Sequence, residues 1–172
     1  MTTLVTGGSK CGKSRYGESI LSKFEGRKIY IATMIPYGTD AYTAIERHRK
    51  MREGKNFQTI EKYTGIHELK IPEKSGVLLE CTANLCANEM FCGSEIVYPA
   101  DKVVEGIKYL QKVCEELVII TNQTGSDGVA YSESTMLYMK ALGEINCRIA
   151  ELSDNVVECV YGIPIVLKGV LA

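Results

Sequence analysis

Eight residues near the amino terminus, Gly7-Gly8-Ser9-Lys10-Cys11-Gly12-Lys13-Ser14, carry the spacing G-x-x-x-x-G-K-S. That spacing suits a polyphosphate. Glycines let the backbone curl until successive N–H groups point inward at phosphate oxygens, and a following helix would turn its N-terminal dipole to the same anion. Lys13 would reach the β- and γ-phosphates, and the Ser14 hydroxyl would ligate Mg²⁺. A second candidate, Glu80, closes the apolar run Val77-Leu78-Leu79. A carboxylate at the end of such a strand has the form of a Walker B segment, within reach of Mg²⁺ or its water shell. The third candidate is His48, inside Glu46-Arg47-His48-Arg49-Lys50-Met51-Arg52, the most basic stretch of the chain. A neutral imidazole there could attack an α-phosphate, with Arg49, Lys50 and Arg52 neutralising the phosphates. The same spacing also fits a solvated basic helix face. His67, in a short polar segment, is expected to be exposed.

The elements that must position these groups are legible in the periodicity. Leu4-Val5 lead into the loop as a strand, and 14–24 follows as an amphipathic helix with Tyr16, Ile20, Leu21 and Phe24 on one face. The β-branched run 28–33 reads as a buried parallel strand. Asp40 is expected to cap a helix running to about Arg52, on which Ala41, Ala44, Ile45, His48 and Arg52 share a face. A short strand over 57–60 delivers Glu61 at its end, and 64–69 makes a helical turn or two. Strands over 77–81 and 117–121 alternate with helices over 84–91, 101–116 and 132–152. The polar loop Asn122-Gln123-Thr124-Gly125 lies at a strand's C-terminal end, where open α/β sheets bind ligands. Two strands, 156–161 and 163–167, close the chain, with Pro164 tolerable on an antiparallel edge. The alternation predicts one α/β domain over residues 1–172, with a mainly parallel central sheet flanked by helices and an antiparallel strand at the C-terminus.

Bulk properties narrow the classes. The 172 residues are 45% hydrophobic and 24% charged, with a formal net charge of -1. That balance is ordinary for a globular domain and gives no electrostatic case for nucleic-acid binding. The longest apolar runs are far too short to span a bilayer, and the direct entry into strand and loop leaves no room for a signal peptide. Seven cysteines form no C-x-x-C pair. Reduced thiols in a cytoplasmic protein fit this pattern better than a disulfide framework or a zinc site.

The segments Leu4-Val5-Thr6-Gly7-Gly8, Gly12-Lys13-Ser14-Arg15, Tyr30-Ile31-Ala32-Thr33, Ile45-Glu46-Arg47-His48-Arg49, Thr59-Ile60-Glu61 and Leu78-Leu79-Glu80-Cys81 belong together. With Asn88, Thr121-Asn122, Gly143, Asn146 and the ending Gly162-Ile163-Pro164-Ile165-Val166-Leu167-Lys168-Gly169, the chain resembles the bifunctional adenosylcobinamide kinase / adenosylcobinamide-phosphate guanylyltransferases of cobalamin synthesis. The resemblance implies a RecA-like P-loop fold and two reactions. The aminopropanol hydroxyl of adenosylcobinamide is phosphorylated with ATP or GTP, and GMP is then transferred from GTP to that phosphate through a guanylyl-histidine, here His48. It implies nucleotide contacts on the phosphate loop, on Ala32, Thr33 and Met34, on Arg49 to Arg52, and near Glu61. It also implies homotrimers with sites between subunits. The chain departs from the family pattern over Gln123 to Tyr131, which lacks the usual Glu and Pro. Two other readings stay open: a small-molecule P-loop kinase in which His48 is structural, and a nucleotide-binding regulatory protein without corrinoid turnover.

Overall fold

The computed structural model describes residues 1–125 and 128–170. Ser126 and Asp127 of the departing loop, and the side chains of Asp40 and Met51, lie outside the described part. Seven strands form one sheet: β1 (Thr2–Thr6), β2 (Arg27–Ala32), β3 (Phe57–Glu61), β4 (Ser75–Glu80), β5 (Glu116–Ile120), β6 (Asn155–Val160) and β7 (Ile163–Lys168). Their spatial order is β3-β2-β4-β5-β1-β6-β7. All neighbours are parallel except β6 and β7. The anticipated mainly parallel α/β sheet with an antiparallel ending is therefore the fold. β5 lies between the phosphate-loop strand and the strand bearing Glu80.

The helices are α1 (Lys13–Ser22), α2 (Gly38–Arg52), α3 (Thr82–Phe91), α4 (Ala100–Val113) and α5 (Glu133–Leu152), with a 3₁₀ turn at Ile66–Glu68. Chain order runs toward β3 first and toward β7 later, so right-handed crossovers place α1 and α2 on one face and α3, α4 and α5 on the other. The strands between these layers are continuous apolar runs because both faces are covered. Val77, Leu78, Leu79, Val118 and Ile119 are fully buried. α1 lies close on the sheet because Gly17 has no side chain: a Cβ there would come within 2.7 Å of Ile120.

α2 starts earlier than expected. Its N-cap is Tyr37, so Asp40 is already inside the helix rather than at its cap. Gly38, with φ of 74°, makes the turn into the helix. No described residue of α2 is fully buried, in contrast to α4, whose Val103, Val104, Ile107 and Leu110 stripe is fully covered.

Candidate active site

The carboxyl ends of β1, β2 and β4, the first turn of α1 and the inner face of α2 enclose a cavity of about 730 Å³. That volume suits a small-molecule or cofactor site. Among the described residues, Lys10, Lys13, Arg15, Arg47, Arg49 and Arg52 line it against two carboxylates, Glu61 and Glu80. Such an excess of cations is made for a polyanion.

The phosphate loop is built from backbone conformations that demand glycine. Gly7 has φ of 138° and Gly12 has φ of 99°. A Cβ on Gly7 would lie 2.5 Å from the Cys159 carbonyl oxygen. The Gly162 N–H donates to the Cys11 carbonyl at 2.9 Å, so the β6–β7 turn braces the loop from behind. Gly12 then feeds directly into α1, whose free N–H groups open on the cavity.

Lys13 is 7% exposed. Its ammonium donates to the carbonyls of Gly7 at 2.9 Å and Gly8 at 2.5 Å. The Ser14 hydroxyl donates to Glu80 Oε1. A hydroxyl and a carboxylate brought to one point at the foot of a phosphate loop are the hard oxygen donors that Mg²⁺ takes, so the residues present fit that ion.

Glu80 is the junction of the site. The Tyr30 hydroxyl donates to its Oε2 at 3.1 Å. His48 Nδ1 stands 3.5 Å from the same oxygen, near enough for ion pairing but not aligned for a hydrogen bond. The side chains of His48 and Glu80 are 13% and 10% exposed, so His48 faces inward rather than belonging to a solvated basic surface. Burial first, and then the adjacent Glu80 carboxylate, push the Tyr30 hydroxyl above its ordinary value. It therefore stays protonated and donates. The Arg52 guanidinium lies over the Tyr30 ring, 3.4 Å from its centroid.

The other anticipated residues fall in four places. Ser9, Lys10, Cys11, Gly12, Ala32, Met34, Arg49 and Glu61 line the cavity with Lys13, Ser14, His48, Arg52 and Glu80. Gly7 and Thr33 lie behind the lining. Thr33 is fully buried and clamps Cys81, accepting from its N–H at 2.8 Å and donating to its carbonyl at 2.9 Å. Gly8 is exposed on the loop. Lys50 does not line the cavity; it lines a neighbouring outer depression with Tyr42, Thr43, Glu46 and Arg47, the last of which borders both.

Several contributors were not singled out as site residues. Thr59, Asn84 and Asn122 line the cavity beside Tyr30. Asn122, in the polar loop after β5, and Tyr30, in β2, both fall in segments that carry the resemblance, but the sequence alone assigns neither a role in the site. Asn88 acts from behind, donating to the carbonyls of Thr33 at 2.8 Å and Tyr63 at 2.9 Å. It ties together the chain ends that leave β2 and β3. Asn146 likewise accepts from Thr121 at 2.6 Å and donates to the Asn122 carbonyl at 3.2 Å.

Comparison with known proteins assigns the chain to a family. The chain is 28% identical to the bifunctional adenosylcobalamin biosynthesis protein CobU of Escherichia coli, over 98% of this chain and 100% of that protein. It is 27% identical to the Salmonella typhimurium protein of the same name, again over 98% and 100%. It is 25% identical to CobP of Pseudomonas aeruginosa, over 98% of each. A family model matches residues 3–167, nearly the whole chain, and by it the protein belongs to the cobinamide kinase / cobinamide phosphate guanyltransferase family, a family of transferases.

Proposed function

We propose that this protein is an adenosylcobinamide kinase and adenosylcobinamide-phosphate guanylyltransferase, running both reactions in the one cavity, with His48 as the guanylyl carrier. The observation that carries this reading is the convergence of His48 and Ser14 on Glu80. That convergence sets an imidazole and the first turn of the phosphate-loop helix on the two oxygens of one carboxylate.

In the kinase step, the γ-phosphate of ATP or GTP is held by the loop N–H groups, the α1 N-terminus and Lys13. The corrinoid hydroxyl oxygen bonds to the γ-phosphorus, loses its proton, and the nucleoside diphosphate departs. Positioning and charge neutralisation supply most of the rate in such a displacement. Ser14 and Glu80 would hold Mg²⁺, which supplies neutralisation of phosphate charge when bound. In the guanylyl step, Nδ1 of His48 is turned to Glu80, which leaves Nε2 to bond to the α-phosphorus of GTP. The bond from that phosphorus to the β-bridging oxygen breaks and pyrophosphate leaves. An oxygen of the corrinoid phosphate then bonds to the same phosphorus, the P–N bond breaks, and His48 is returned. The covalent histidine divides one difficult displacement into two easier ones. Arg49 and Arg52, which line the cavity, would neutralise the departing pyrophosphate.

Incubation with Mg²⁺ and GTP labelled at the α-phosphate tests the histidyl step. The wild type takes up an acid-labile, alkali-stable label and His48→Ala does not. A wild type that binds GTP without becoming labelled would refute the carrier role and leave a plain P-loop kinase. Adenosylcobinamide with γ-labelled ATP or GTP then reads the kinase step, which His48→Ala should retain.

A further inference from the structure

Tyr30 is 4% exposed, set between Ile29 and Ile31 on β2. An aliphatic side chain at that position would offer neither a hydroxyl donor nor an aromatic face. The tyrosine instead touches both charged groups at the meeting point of the two half-sites. Its hydroxyl donates to Glu80 Oε2, which leaves Oε1 to Ser14. Its ring face carries the Arg52 guanidinium, whose Nη1 is buried with no hydrogen-bond partner among the described residues.

The chemistry of these contacts matters more than their number. A carboxylate partner would hold Arg52 but would also cancel its charge and occupy its donors. An aromatic face holds the cation and leaves its N–H groups free for an anion. In the same way, a lysine or arginine beside Glu80 would compete with a divalent cation for the carboxylate, whereas a neutral hydroxyl aims it without adding charge. We infer that Tyr30 is a positioning residue serving both half-sites: its hydroxyl aims Glu80 at the Ser14 side, and its ring seats Arg52, with its charge intact, at the C-terminal end of the helix bearing His48. The inference rests on the proposed roles of Glu80 and Arg52 in holding metal and phosphate.

Two variants separate the two contacts. Tyr30→Phe keeps the ring and removes the hydroxyl; Tyr30→Leu removes both. GTP binding is followed by equilibrium titration of the full-length protein with a fluorescent GTP analogue, with excess EDTA and across a Mg²⁺ series. Tyr30→Phe should raise the half-saturating Mg²⁺ about tenfold while leaving affinity in EDTA unchanged. Tyr30→Leu should in addition weaken binding in EDTA about tenfold, and that loss should vanish in an Arg52→Gln background. A purely structural tyrosine predicts a lower melting temperature for both variants with unchanged binding constants in the folded protein. That result, or a Tyr30→Leu loss that persists without Arg52, would overturn the inference. Both readouts are independent of histidine labelling, so an unlabelled wild type refutes the guanylyl carrier alone, whereas unmoved binding constants refute the role of Tyr30 alone.

Discussion

The Lys13 ammonium turns back on its own loop and donates to the carbonyl oxygen of Gly7 at 2.9 Å. With the Gly8 carbonyl at 2.5 Å as a second acceptor, a nearly buried cation is kept at the mouth of α1, and among the described residues no carboxylate forms an ion pair with it. A phosphate has only to replace backbone carbonyls there, and no ion pair has to be broken. Lys13→Met should therefore weaken GTP binding about a hundredfold while leaving the sheet intact. The check is a thermal-shift titration. The wild type gains about 2.7 kcal/mol of stability when GTP stands at a hundred times its dissociation constant, and the variant should gain only about 0.4 kcal/mol at that concentration.

The two leading glycines of the loop should respond differently. At Gly7 a methyl group would meet the Cys159 carbonyl oxygen at 2.5 Å, on a backbone with φ of 138°. At Gly8 nothing lies within 4 Å of the added atom. Urea denaturation should show Gly7→Ala destabilised by about 2 kcal/mol or more. Gly8→Ala should stay within about 0.5 kcal/mol of the wild type.

Lys168, in the most distinctive segment of the sequence, serves the fold. Its ammonium donates to the carbonyls of Ala150 at 3.1 Å, Glu151 at 3.0 Å and Ser153 at 2.6 Å. It thus satisfies the free carbonyl end of α5 and sits at the negative end of the helix dipole. Lys168→Met should cost about 1–2 kcal/mol in chemical denaturation. GTP affinity of the folded fraction should be unchanged.

The cysteines offer a pH test. Burial pushes the Cys86 thiol up to about 12 and the Cys114 thiol up to about 11, from 9.0 in an unfolded chain. Cys92 and Cys147 are exposed. Iodoacetamide at pH 8 should therefore modify Cys92 and Cys147 in the native protein and spare Cys86 and Cys114. The sign of the stability effect follows from proton counting. Above pH 9 the unfolded chain releases thiol protons that the folded chain still holds, so these groups favour folding fully below pH 9. Their contribution is lost progressively toward pH 12. Melting temperatures across that window should fall less steeply in Cys86→Ala than in the wild type.

The sequence was most informative where chemistry is contiguous. The phosphate loop spans eight consecutive residues, and Glu80 ends an unmistakable apolar strand, so both were legible without a fold. His48 was legible in part: helical spacing put it on one face with Ile45 and Arg52, and all three line the cavity. Spacing could not say that the face turns inward, because α2 has no apolar stripe to fix its direction. Tyr30 was hidden for a different reason. In β2 it pairs with Leu78, while Ala32 two residues on pairs with Glu80. Alternation therefore sets the tyrosine diagonally beside the carboxylate on one face of the sheet, a relationship that exists only once β2 and β4 are in register. Asn88, Asn146 and Lys168 stood out as parts of a resemblance, and each holds backbone carbonyls rather than lining the cavity. Asp40 misled because its residue type suits a cap, whereas Gly38 had already turned the chain into the helix.

The brace behind the phosphate loop makes the motif and a distant hairpin one cooperative unit. β1 pairs with β5 and β6, and the loop leans on Cys159 and Gly162. A fragment that stops short of β6 therefore carries the G-x-x-x-x-G-K-S signature without the surface that sets it, and loosening the β6–β7 turn should unseat the loop with no change in its own residues.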